Sequence, residues 1–204
     1  SVSALRRRAD ETDDEAQHLF GFRRKSSSPK SGELSAAEIG TAHHTFLELV
    51  SLNKVANETE LKLEATRIQQ SGSLSAKEIA AIDFSTIAAF WNSAVGRKIL
   101  EKAEQVRREH PFTARLNGSD FAKLNLHKDA TGLPDEFVVL QGVIDIAVIL
   151  PEEIWLLDFK TDQIKESELA ERTEHYRTQV ALYADAMSII YKRPVTQRWL
   201  HFLA

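Results

Sequence analysis

Two apolar runs, Ile144–Leu150 and Glu153–Lys160, are separated only by Pro151 and Glu152. So short a connection directs the runs to pair as an antiparallel hairpin. With Leu150 opposite Glu153, Asp145 falls opposite Asp158, and directly opposed side chains have Cβ atoms roughly 5 Å apart. Asp158 and Lys160 share a face because the strand period is two. The hairpin therefore brings two acids and a lysine to one patch. Aspartate is disfavoured in strands, and like charges placed opposite each other repel. Surface decoration is thus the weaker explanation, and a bound Mg²⁺ or Mn²⁺ would remove the repulsion and account for the pair. Such a cation can polarise a phosphodiester and acidify a water, with Lys160 orienting that water or stabilising the charge that grows on the phosphate.

The rest of the chain supplies a frame for this hairpin. Leu5–Arg8 reads as a short helix, Asp10–Glu15 as a solvated acidic run, and 22–34 as a loop rich in Ser, Lys and Arg. Ser35 with Glu38 forms a capping-box pattern ahead of a helix from Ala36 to about Leu52, with Leu47 and Val50 buried. Helical stretches follow over 55–70, 76–82 (capped by Ser75 and Glu78), Ser85–Asn92 and Ser93–Glu104. From Val106 the period changes. Residues 107–115 read as an irregular edge strand carrying Pro111, 116–134 as a loop, and Phe137–Ile149 as a strand broken near Gln141-Gly142. Ile154–Lys160 is a further strand, 168–190 a long helix and Gln197–Phe202 a last strand. This order points to a single α/β or α+β domain over 1–204, mainly helical over 36–104 and sheet-based over 105–204.

Composition narrows the chemistry. The 204 residues include no cysteine, which excludes disulfides, thiolate zinc sites and iron–sulfur clusters. No run of about 18 apolar residues spans a membrane, and the basic start lacks the apolar segment of a signal peptide. A cytoplasmic location is expected. A net charge of −4 argues against nonspecific gripping of nucleic acid over the whole surface, but leaves room for local basic patches beside an acidic site.

Five stretches together resemble a known family. Gly40-Thr41-Ala42-His43-His44, Glu109-His110-Pro111-Phe112, Gln141-Gly142-Val143-Ile144-Asp145, Asp158-Phe159-Lys160-Thr161-Asp162 and the Tyr176/Gln179/Tyr183 helix occur in order. The set resembles the PD-(D/E)XK nuclease superfamily, and within it the RecB-like nuclease domain of AddA-type helicase–nuclease subunits. The resemblance implies a restriction-endonuclease-like core: a mixed central sheet flanked by helices, with an inserted helical lobe. It implies His44, Asp145, Asp158 and the backbone carbonyl of Phe159 as ligands of Mg²⁺ or Mn²⁺, with Lys160 as catalytic lysine. Glu109 would support the metal or a water. Gln179, Tyr183, Tyr176 and Thr161 would meet DNA, and Gln179 would also support catalysis.

The implied activity is a DNA nuclease, exonucleolytic on single-stranded ends, in double-strand-break processing and recombinational repair. The implied partners are a UvrD/Rep-like helicase motor in the same full-length chain and an AddB-like subunit. No Gly-x4-Gly-Lys-Ser/Thr nucleotide-binding loop occurs here, so the chain is expected to be a C-terminal piece of a longer polypeptide. The competing reading is a catalytically weak DNA-binding or scaffold module of the same fold, against which Asp145, Asp158 and Lys160 stand together.

Plainer roles compete at several positions. The family's register selects His44 over His43, and the two point about 100° apart on a helix. Glu48, one turn on, either fixes the His44 tautomer or is simply solvated. Tyr176, Gln179 and Tyr183 share a helical face that would otherwise be an aromatic seam. Arg172 and Arg177 are either solvated or in contact with phosphate, and Arg6–Arg8, Arg23–Lys25 and Lys30 are either a solvated face or contacts to DNA or to the rest of a larger protein.

Overall fold

Helix α1 (Ala36–Leu49) starts at the expected capping box. Glu38 N–H donates to Ser35 Oγ at 3.2 Å, and Ser35 N–H donates to Glu38 Oε2 at 2.7 Å. The helix stops at Leu49, before the expected Leu52, because Val50 turns extended and the chain enters a 3₁₀ turn at Leu52–Lys54. The computed structural model describes residues 34–117, 137–161 and 169–203. The features expected at 1–33, in the loop over 118–134 and at Asp162 lie outside them, as does the Arg172 side chain.

Four helices follow: α2 (Glu58–Gln70), α3 (Ala76–Ala80), α4 (Phe84–Asn92) and α5 (Ala94–Leu100). A second capping box, Ser75 with Glu78, opens α3 as the sequence predicts, and the Asp83 carboxylate caps α4. Alone, helices this short are marginal in water. They are held by a common core in which Phe46, Ile87, Phe90 and Trp91 pack with Ile146, Val148, Leu157 and Phe159 of the sheet. Each such buried side chain contributes on the order of 1.5–3 kcal/mol, so the helical part is a layer fastened to the sheet.

The sheet has the order β1 (Val106–Asn117), β2 (Phe137–Ile149), β3 (Ile154–Lys160), β4 (Val195–Phe202). The first three strands are antiparallel and β4 joins β3 in parallel, which makes the sheet mixed. Helix α6 (Leu169–Tyr191) covers the opposite face. There Ala184 and Met187 pack on Phe112, Ala114, Leu116, Ile144 and Leu156.

One expectation about irregularity needs correction. β2 runs unbroken through Gln141-Gly142, paired to Thr113 and Phe112. Gly142 serves packing: a Cβ there would come within 2.8 Å of the Phe112 ring and 2.9 Å of Tyr183. As expected, the strand carrying Pro111 lies at the edge of the sheet and is irregular; Pro111 itself keeps its place in the ladder, opposite Val143, and the break lies two residues earlier, at Glu109.

At Glu109 both strands exchange faces. Residues two apart on a strand normally share a face, yet Ile144 packs in the core under α6 while Ile146 packs in the core under the short helices. β1 does the same: Arg108 reaches the end of α1, whereas His110 bonds Tyr191 of α6. The pairs Arg108↔Ile146 and His110↔Ile144 flank the switch, which sets Glu109 and Asp145 at its centre. Glu109 has φ 43°, the left-handed region that a non-glycine residue enters at a cost of roughly 1–2 kcal/mol.

Candidate metal centre and its hairpin

The hairpin has the register read from the sequence. Leu150 N–H donates to the Glu153 carbonyl at 2.9 Å, and the pairs run from Ile149↔Ile154 to Ile146↔Leu157. The next position in that register is Asp145 with Asp158, and here the backbone ladder stops. Instead, the Phe159 amide donates to Asp145 Oδ2 at 2.5 Å. A side-chain carboxylate thus satisfies a backbone donor and leaves the strand ends parted around the acids.

Asp145 Oδ1 faces the other way, 3.2 Å from His44 Nδ1, and Glu109 Oε1 lies 3.4 Å from the same nitrogen. His44, Glu109 and Asp145 offer one ligand atom each, all within 4.8 Å of one another. One imidazole and two carboxylates form a hard, oxygen-rich donor set with a nitrogen, suited to a divalent cation that offsets the carboxylates' mutual repulsion. The residues present therefore fit a divalent metal ion.

Asp158 and Lys160 form the adjoining half of the site. Lys160 Nζ is 3.1 Å from Asp158 Oδ2, and the side chains are 3 % and 9 % exposed. They follow Ile154 and Leu156 on the α6 side, where Lys160 Nζ lies 4.7 Å from the Tyr176 ring centroid. The structure thus sorts the expected ligands into two neighbouring groups. His44, Asp145 and Glu109 meet on the α1 side and Asp158 pairs with the lysine on the α6 side; the Phe159 amide–Asp145 bond joins the two. Phe159, expected as a ligand through its carbonyl, donates its amide to Asp145.

The histidine pair divides as expected. His43 is buried and structural: its Nδ1 is 2.8 Å from the Ile39 carbonyl, and its Nε2 accepts the Asp83 N–H at 3.2 Å. These partners fix the proton on Nδ1, and burial pushes the His43 pKa down. Glu48 is exposed, in keeping with its plainer reading.

On α6, Tyr176 is buried between Lys160 and Phe202, and Tyr183 stacks edge-on against Phe112 at 5.0 Å. Gln179 Nε2 donates to Tyr183 Oη at 3.2 Å. This face is therefore a packed seam that backs the lysine. Thr161 sits at the end of β3 so close to α1 that a Cβ on Gly40 would lie 2.8 Å from its Oγ1. Gly40 thereby lets the helix carrying His44 approach the strand carrying Lys160.

Sequence reasoning missed Arg108. Its Nη1 donates to the Leu47 carbonyl at 3.0 Å and also to the Val50 carbonyl. From the other side, Arg67 Nη2 donates to the Leu49 carbonyl at 2.8 Å. These cations complement the negative end of α1, which has no basic residue in its own last turn. Arg108 thereby fixes the strand residue next to Glu109 against the helix that carries His44. The run Arg107-Arg108-Glu109 held no periodic signal for this role.

Comparison with known proteins agrees with the geometry. Residues 15–202 match the PD-(D/E)XK nuclease superfamily. The chain is 36 % identical over 176 residues to an ATP-dependent helicase/nuclease of Listeria welshimeri, covering 83 % of this chain and 14 % of that protein. It is 31 % identical over 210 residues to the protein of the same name from Clostridium beijerinckii, covering 98 % and 16 %. For that of Bacillus licheniformis the figures are 32 % over 217 residues, 99 % and 17 %. The chain thus spans only a small part of the length of these relatives. With the acids, histidine and lysine gathered at the end of one hairpin on a mixed sheet, the chain belongs to the PD-(D/E)XK nuclease superfamily.

Proposed function

We propose that this chain is a metal-dependent deoxyribonuclease domain that hydrolyses phosphodiester bonds, acting as an exonuclease on single-stranded ends. The observation that carries this reading is the His44–Glu109–Asp145 donor set joined through one peptide to the buried Asp158–Lys160 pair. His44, Asp145 and Glu109 would hold Mg²⁺ or Mn²⁺, with Asp158 bordering the site. When bound, the cation polarises the phosphate and lowers the pKa of a water. The chain's own groups do the rest. Asp158 sets the place of the Lys160 ammonium, Tyr176 backs it, and that ammonium supplies positive charge where the phosphate gains negative charge. Gln179 and Tyr183 brace the seam behind it and, with Thr161 at the strand end, border the DNA where it passes the lysine on the α6 side.

The relatives' name couples a helicase to a nuclease. We therefore place this domain beside a UvrD/Rep-like motor in a longer polypeptide, partnered in turn by an AddB-like protein. In this setting it would process double-strand-break ends for recombinational repair in the cytoplasm.

The test is cleavage of labelled single- and double-stranded DNA with Mg²⁺ or Mn²⁺ by the wild-type chain, Asp158→Ala and Lys160→Ala. The variants are expected to lose roughly a hundredfold or more in rate. Equal rates in all three proteins would overturn the assigned chemistry. A wild type that binds DNA but never cuts would favour the binding-module reading.

A further inference from the structure

Among the described residues, cover on the α1 face of the sheet ends at the hairpin. Over Val106–Arg108 and Ile146–Val148 that face lies beneath α1 and its neighbouring helices. Beyond Glu109 and Asp145, the β1–β2 ribbon keeps α6 on one side. On the other it exposes Pro111, Thr113, Arg115, Phe137, Val139 and Gln141. Phe137 is 47 % exposed and Val139 50 %. Arg115 lies over the Phe137 ring at 4.1 Å, and Gln141 Nε2 donates to Thr113 Oγ1 at 3.2 Å.

Side-chain exposure in the site rises toward this ribbon. It is 3 % at Lys160 and 9 % at Asp158, then 11 % at Asp145, 15 % at His44 and 28 % at Glu109. The opening to the reactive groups is therefore on the side of Glu109, where the bare face begins. From Glu109 to Arg115 the strand extends six residues, roughly 20 Å.

We propose that this face is the track along which a single-stranded polynucleotide reaches the site. The inference rests on the nuclease reading and adds the route. The six exposed residues include no carboxylate, in a chain of net charge −4. They combine an aromatic ring for a base, a guanidinium for a phosphate, and a hydroxyl and an amide for sugar–phosphate oxygens. Single-strand-binding surfaces are built from this chemistry. Its continuity with the metal centre selects a polynucleotide over a protein partner as the occupant, because a phosphodiester seated at Glu109 and Asp145 must extend its flanking nucleotides somewhere.

The test is fluorescence anisotropy of a short labelled single-stranded oligonucleotide with the full chain in EDTA, so that no cleavage is needed. Phe137→Ala is expected to weaken binding roughly fivefold to a hundredfold. Arg115→Gln should reduce the dependence on salt by about one counterion. Leu63→Ala, at the 67 % exposed residue on α2, should bind as wild type does. Ribbon variants that bind as tightly as wild type, or a wild type that does not bind, overturn the track. If the wild type cleaves DNA and the ribbon variants bind unchanged, only the track falls. Binding through the ribbon without cleavage upholds the track and removes the nuclease reading.

Discussion

Glu109 is the most constrained residue of the site. Its φ of 43° is unfavourable for a glutamate, and the strain persists because the neighbours on both sides are anchored. Arg108 is tied to the end of α1, and His110 Nε2 lies 2.9 Å from Tyr191 Oη. Removing one anchor should release the residue. Arg108→Ala is expected to cost about 1.5–3 kcal/mol in urea unfolding, the range for hydrogen bonds from a charged donor. It should also weaken Mn²⁺ binding. Arg67→Ala provides the contrast, because Arg67 holds the same helix end from α2 rather than from the strand that carries Glu109. It should lower stability and leave Mn²⁺ affinity intact. Equal losses of affinity in the two variants would mean that Arg108 acts only through general stability.

The elements show why part of the site was legible in the sequence and part was not. The hairpin register follows from a two-residue connection and the strand period, so Asp145 and Asp158 could be aligned in advance. The separation of the acids into two groups could not. It depends on the face exchange at Glu109, and glutamate has no preference for the left-handed conformation that makes the exchange. His44 was separable from His43 only through the family's spacing, since both positions are polar and adjacent; the burial of His43 then followed from packing against Asp83. Gly142 misled because glycine in a strand usually marks a break, whereas here it admits two aromatic rings. Gly142→Ala should cost about 1–3 kcal/mol by overpacking, read as a fall in Tm. An unchanged Tm would show that Phe112 and Tyr183 can retreat at no cost.

For the whole molecule, helices and sheet share one core on the α1 face, and one buried and two half-buried histidines couple the fold to pH. His43, His110 and His201 are each held below the ordinary histidine range, chiefly by burial. A depressed histidine takes up protons more readily unfolded than folded. Its contribution is complete above about pH 6.5 and is lost as the pH falls from there through the folded value. Glu64, hydrogen-bonded by Arg67, and Asp83, hydrogen-bonded by Ser85 and Thr86, are both lowered to about 2. They add a second loss below about pH 4. Asp185, raised by burial, opposes it. Urea midpoints should therefore begin to fall near pH 6.5; a midpoint flat from about pH 7 to about pH 5 would contradict the lowering of these histidines in the fold.

All of this supports one central claim: the sheet, α1 and the Arg108 anchor gather His44, Glu109 and Asp145 to hold a divalent cation at the end of the hairpin. The most direct test is a Mn²⁺ titration followed by the free-ion electron paramagnetic resonance signal, on the wild-type chain, Asp145→Asn and Glu109→Gln. One saturable site is predicted in the wild type, weakened about tenfold or more in each variant, where tenfold corresponds to about 1.4 kcal/mol. Identical Mn²⁺ affinity in all three proteins would contradict the claim.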